Sequence, residues 1–265
     1  MRFSDASAVE RVGDSTWLAE VQPNWDIFGI ANGGYLMTIA ARAMSQAADG
    51  RIPVSVTSHF TRPVSAGPVE VSVEPIKLGR SYSTMRASLD SGDTSHLSLI
   101  ATLGDPDRPD AGARYLAGAM PEMPSPLDCV RALPSPDGPL PPPLMAQFEE
   151  RIHPEDASAL DGKPTGVARV RGWFRLHDDE PLDPFAPLLV ADAFPPAVFN
   201  ARLPFAWTPT VEMTTHIRST PVTGWLCCQF TTRFVTDGFL EEDGEIWDEE
   251  GRLVALSRQL ALVPR

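Results

Sequence analysis

The chain has 265 residues, 43% of them hydrophobic, enough to bury one large core or two of ordinary size, and it carries a formal charge of −13. That charge argues against a general binder of nucleic acid or anionic membranes, because attraction to phosphate needs a positive surface. Three cysteines, Cys129, Cys227 and Cys228, make neither a disulfide framework nor a Cys-x-x-Cys metal pair.

The opening, MRFSDASAVERVGDSTW, lacks a basic region followed by an apolar core, and no run approaches the length of a membrane span. A cytoplasmic protein with no membrane segment is expected. Residues 24–48, NWDIFGIANGGYLMTIAARAMSQAA, hold the clearest helix: Asn32 can cap it, Gly33-Gly34 allow close backbone approach, and Tyr35 to Ala47 are strong helix formers with almost no charge. A helix this apolar must be wrapped by other structure. Four strand-like runs follow, at 53–63, 68–79, 81–90 and 96–104, with apolar and polar residues alternating and turn residues between them. One helix followed by antiparallel strands reads as α+β.

Residues 105 to about 150 are too rich in proline to continue a sheet or helix and read as an extended connector with one helical turn. Beyond it the strand pattern returns at 211–234 and 252–263. Placing TSHFTRPVSAG (57–67) over TTHIRSTPVTG (214–224) aligns Thr57 with Thr214, His59 with His216 and Gly67 with Gly224. The chain is thus read as two copies of one unit.

The apolar stretch LLVADAFPPAVFN (188–200) contains one carboxylate, Asp192, followed by two prolines. Two readings stay open. Asp192 is a helix N-cap before a helix-compatible proline, or it is a carboxylate whose basicity burial raises, suited to act as a general base. Gln259, in the apolar run LVALSRQLALV, shares a face with Ala255, Ser257 and Ala261 and needs partners if buried. Gly33 and Gly34 either present N–H groups to a substrate carbonyl or mark close packing. His59, His216 and the Cys227-Cys228 pair read as structural, and no Gly-x-Ser-x-Gly elbow is present.

NGGYLMTIAARA and HFTRPVSAGPVEVSVEPIKLGRSYSTMRASL in the first half, with WFRL, ADAFPPAVF, WTPTVEMTTHIRS and WDEEGRLVALSRQLALV in the second, resemble the acyl-CoA thioesterase II family, and more closely thioesterase-like proteins common in actinobacteria. The resemblance implies a double-hotdog fold: two long central helices, each wrapped by an antiparallel sheet, as hotdog domains over 1–104 and 151–265 joined by the 105–150 connector. It implies hydrolysis of fatty acyl-CoA by an Asp, a Thr and a Gln that hold and activate water. Those fall on Asp192, expected to open the second helix, on Thr210 in PTVE, and on Gln259 in SRQLAL. The sequence departs from better-known members at Glu212-Met213, Leu260-Ala261 and Pro195-Pro196. Acyl-CoA is then the substrate partner, with Gly33, Gly34 and Arg80 as substrate contacts. Arg80 belongs to a basic cluster with Arg62, Lys77 and Arg86 that either meets CoA phosphates or forms a solvated edge. No metal, nucleotide or flavin motif is visible, so no cofactor is expected. A homo-oligomer is expected from the resemblance. The alternative functions are a weak or inactive hotdog protein that binds acyl-CoA or a related lipid, and a hotdog hydratase or dehydratase whose acid–base pair the sequence does not identify.

Overall fold

The computed structural model describes residues 1–105, 115–134, 141–177, 180–203, 207–220 and 224–263; residues 106–114 and 135–140 of the expected connector lie outside them. After a one-turn helix at Phe3–Ala6 (α1), the apolar helix of the first half forms over Gly33–Ala47 (α2). Asn32 caps it, its side-chain oxygen accepting from Tyr35 N at 2.9 Å. From Gly34 to Ser45 every residue except Arg42 is buried, so the helix is wrapped as its composition demands.

The first-half strands are β1 (Glu10–Arg11), β2 (Thr16–Val21), β3 (Asp26–Ile27), β4 (Ile30–Ala31), β5 (Ile52–Phe60), β6 (Gly67–Leu78), β7 (Tyr82–Ser91) and β8 (Thr94–Gly104). Those of the second half are β9 (Val130–Ala132), β10 (Phe148–Ile152), β11 (Arg169–Leu176), β12 (Thr210–Ile217), β13 (Leu226–Thr231), β14 (Val235–Thr236), β15 (Phe239–Asp248) and β16 (Leu253–Leu262). All except the β3–β4 hairpin join one 14-stranded antiparallel sheet.

The halves meet where β5 pairs with β12. Thr57 lies opposite Thr214, and their hydroxyl oxygens are 3.0 Å apart across a separation of 157 residues. These are the residues that the sequence repeat superposes, so the repeat axis passes between them. From this seam the strands run outward in matching order, β5-β8-β7-β6-β2 on one side and β12-β16-β15-β13-β11 on the other.

The two halves differ in their helices. The second half has one turn at Pro154–Ala157 (α3) and one at Ala186–Val190 (α4), and, among the described residues, no second long helix. Asp192 does not open a helix; it follows α4. Pro195 and Pro196 account for the break, because proline lacks the N–H that would continue the ladder and restricts the residue before it. The chain resumes as a 3-10 turn at Ala197–Asn200 with Pro196 at its N-cap.

The stretch read as connector also holds more structure than expected. Its 3-10 turns at Pro126–Asp128 and Pro143–Ala146 flank β9, and β10 begins at Phe148. Both strands fit between prolines and close the end of the sheet beyond β11, where a strand needs fewer ladder partners. On β10, Glu149 pairs with Arg151 and Arg175, while Glu150 is fully buried with neither carboxyl oxygen partnered among the described residues. Among the described residues, no helix is long and apolar enough to cross a membrane.

Candidate active site

The site forms where α2 of the first half crosses α4 of the second. The approach is close: a Cβ on Gly34 would run into the Leu188 carbonyl oxygen, and one on Gly33 would lie 2.7 Å from the Phe60 ring. This contact brings the Asp192 carboxylate to the start of α2. Its Oδ2 accepts from Gly34 N at 3.0 Å and from Asn32 Nδ2 at 2.9 Å, and Asn32 Nδ2 also donates to the Asp192 carbonyl at 2.7 Å. A helix start presents unpaired N–H groups and a partial positive charge, so a carboxylate is well placed there.

Asp192 Oδ1 has no hydrogen-bond partner among the described residues. Burial pushes the Asp192 carboxyl from 3.8 up to about 6, against the opposing pull of the Gly34 and Gly33 amides and the Asn32 side chain. The N-cap reading of Asp192 is not met, because Asp192 follows α4 and the next turn is capped by Pro196; its Oδ2 instead accepts the Gly34 amide at the start of α2, the helix of the other half that Asn32 caps.

Asp192 lines a cavity of about 620 Å³ with Gly33, Thr210, Glu242 and Gln259. The rest of the wall is mostly apolar, with Ile27, Leu36, Phe60, Phe194, Phe199 and Trp207 among its residues. Phe28 also lines it, from the turn of the β3–β4 hairpin with φ +55°, and meets the Trp207 ring edge-on at 5.5 Å between centroids. Positive φ is costly for a bulky residue, so the exposed aromatic is held in place by more than local preference.

The polar residues of the wall form a chain. Thr210 Oγ1 donates to Gln259 Oε1 at 2.9 Å, and Gln259 Nε2 donates to Glu242 Oε1 at 2.8 Å. Gln259 lies on the buried face of β16 with Ala255, Ser257 and Ala261, as the alternation predicts. Thr210 opens β12 at a bulge opposite Ala261. Thr210, Gln259 and Asp192 thus face one cavity, although 49 residues separate the first two in sequence.

Glu242 escaped the sequence reading. Burial raises its carboxyl to about 7, the Ala197 amide and Gln259 oppose this, and the charges of Asp192 and Asp243 push it further up. Its signal was present in LEEDGEIW: strand alternation puts Leu240, Glu242, Gly244 and Ile246 on one face, and a lone acid among apolar neighbours stands out.

The expected substrate contacts fare differently. Gly33 lines the cavity, but Gly34 does not, and the Gly34 amide is engaged by Asp192. Close packing describes Gly34. Arg80 is exposed on a turn away from the cavity, where its carbonyl accepts from Arg51. Arg62, from the same expected cluster, is the one basic residue among the cavity-lining residues described. His59 and His216 are exposed, and Cys227 and Cys228 are buried in strand packing. His153, Glu155 and Asp156 bring possible metal ligands within 4.8 Å of one another, yet Arg169 and Arg171 already pair with both carboxylates.

Comparison with known proteins agrees with this architecture. Residues 21–104 match the model of the acyl-CoA thioesterase N-terminal domain, and residues 126–263 match that of the acyl-CoA thioesterase C-terminal domain. A crystal structure from Thermobifida fusca YX, provisionally named a thioesterase II, is 33% identical with a TM-score of 0.87, covering 100% of this chain and 98% of that one. An acyl-CoA thioesterase II from Mycobacterium marinum shares the fold with a TM-score of 0.74 at 18% identity, over 99% of this chain and 98% of its own. An uncharacterized protein of Mycobacterium tuberculosis is 28% identical over 92% of this chain and 90% of its own length. With both thioesterase domains matched in order, the chain belongs to the acyl-CoA thioesterase family of double-hotdog thioester hydrolases.

Proposed function

We propose that this protein hydrolyses the thioester of an acyl-CoA whose acyl group is apolar, with water activated by Asp192. The observation that carries the reading is the Asp192 carboxylate: one oxygen is held by Asn32 and Gly34, the other has no hydrogen-bond partner among the described residues, and the residue lines an apolar cavity shared with Thr210 and Gln259. A thioester carbonyl is already electrophilic, so a positioned water and a base are the main requirements. Asp192 Oδ1 takes a proton from water as the water oxygen bonds to the carbonyl carbon. The carbon–sulfur bond then breaks, and the CoA thiolate takes up the proton held by Asp192, leaving as thiol beside the free acid and restoring the carboxylate. Gln259 Nε2, with one N–H not given to Glu242, can donate to the developing oxyanion or to the water. The apolar wall receives the acyl group and excludes bulk water.

On the same reading the chain divides into hotdog units over 1–104 and 126–263, works in the cytoplasm, and assembles as a homo-oligomer. The test is thiol release, followed with a thiol-reactive dye, from straight-chain and aromatic acyl-CoAs. Release from at least one apolar acyl-CoA is expected. Tight binding of acyl-CoA with no release from any of them would establish the binding-protein alternative in its place.

A further inference from the structure

Glu242 faces the cavity with Asp192, and the hydrolysis described above gives it no role. It is 5% exposed, and both of its oxygens are taken: Oε1 accepts from Gln259 Nε2 at 2.8 Å, and Oε2 accepts from Ala197 N at 2.5 Å. The second bond depends on the break in the second-half helix. Pro195 and Pro196 stop the helical ladder, and Ala197 begins a new turn with an N–H that has no acceptor within that turn.

An ionised carboxylate can only accept, so it dictates how the Gln259 amide lies. Nε2 must face Glu242, and Oε1 then faces Thr210. Thr210 has a single hydroxyl proton and directs it to Gln259 Oε1 at 2.9 Å. Its remaining lone pairs are left for the cavity. A water placed in the cavity between these groups would give one hydrogen to Thr210 Oγ1 and the other to Asp192 Oδ1.

Resting on the hydrolysis reading above, we propose that Glu242 is a positioning residue: its buried carboxylate, anchored by Ala197 N, sets the direction of the Gln259–Thr210 hydrogen-bond chain so that Thr210 accepts from the attacking water. A protonated Glu242, or a glutamine in its place, both donates and accepts, so Gln259 can turn over. Thr210 then points its own proton at the water and no longer orients it. The groups around Glu242 are neutral Gln259 from β16, the Ala197 amide, Asp192 across the cavity, and its neighbour Asp243, which pairs with Arg258. Burial together with the two aspartates holds the Glu242 carboxyl near 7, so the directing, ionised form gains population as pH rises through that value.

The experiment uses the full chain and has two arms. In the kinetic arm, Glu242→Gln is expected to lower kcat about ten-fold or more, the scale of losing a hydrogen bond to a charged group, with KM nearly unchanged. It also removes the upper of two rising limbs in the kcat–pH profile and leaves the limb of Asp192. In the spectroscopic arm, the side-chain amide signals of Gln259 in nitrogen-15 NMR are expected to shift with a midpoint near 7 in the wild type, as the ionisation of Glu242 requires. This arm needs neither turnover nor a well-folded variant. Gln259 signals that do not move with pH overturn the proposal, as does a folded Glu242→Gln that keeps wild-type kcat and both limbs. Absence of thiol release by the wild type overturns the hydrolysis reading separately, because the Gln259 signals report on Glu242 without it.

Discussion

At the residue scale, Asp192 belongs to the second half in sequence, but its hydrogen-bond partners are Asn32 and Gly34 of the first. Asn32 has a double task, capping α2 through Oδ1 and holding Asp192 through Nδ2. Asn32→Ala removes both. Loss of the cap costs about 1 kcal/mol in denaturant unfolding. Loss of the amide that lowers the Asp192 carboxyl moves the rising limb of activity above about 6 in a pH–rate profile. A limb that stays in place would mean that Asn32 acts only as a cap. Asp192, Thr210 and Gln259 could be named as candidates from the sequence because a family resemblance supplied proposed roles for them. The cavity's own logic could not be read there: which amides the Asp192 carboxylate occupies, and that Arg62 rather than Arg80 reaches the wall, depend on how two distant segments cross.

At the element scale, α2 and the strand alternation were legible, because an uncharged run of helix formers and period-two patterns are local signals. The second helix misled. Apolar composition over 188–200 suggested continuity, whereas Pro195 and Pro196 limit α4 to Ala186–Val190. The short strands β9 and β10 were hidden for the converse reason, since they lie in a proline-rich region and are ordered by pairing with β11 rather than by propensity. Strand β10 also holds Glu150, buried with no partner among the described residues, whose carboxyl burial pushes far up from 4.5. The native state keeps a proton that the unfolded chain gives up, so wild-type stability falls as pH rises above about 4.5, until the native group itself ionises. Glu150→Gln removes that dependence. Its melting temperature relative to wild type is expected to climb between acid and neutral pH; an offset independent of pH would place a charge-stabilising partner beside Glu150.

At the scale of the whole molecule, the aligned threonines did more than suggest a repeat: Thr57 and Thr214 pair with each other at the seam of one continuous sheet. Two units related in this way start as equals. The broken helix makes them unequal, since the first half keeps a long helix whose start is free to accept a carboxylate, and the second supplies that carboxylate together with Thr210, Gln259 and Glu242. The sequence could show the repeat but not this division of labour, which arises only when α2 packs on α4.

The most direct measurement is the rate of thiol release from an apolar acyl-CoA by the wild type and by Asp192→Asn, across acid to mildly alkaline pH. Asparagine keeps an oxygen for Gly34 but cannot take a proton from water. The wild-type rate is expected to rise through about 6, with the second limb of Glu242 near 7, and the variant to lack the limb near 6 and be slower by about 10²–10⁴-fold while remaining folded. A folded Asp192→Asn with the wild-type rate and pH profile would contradict the account.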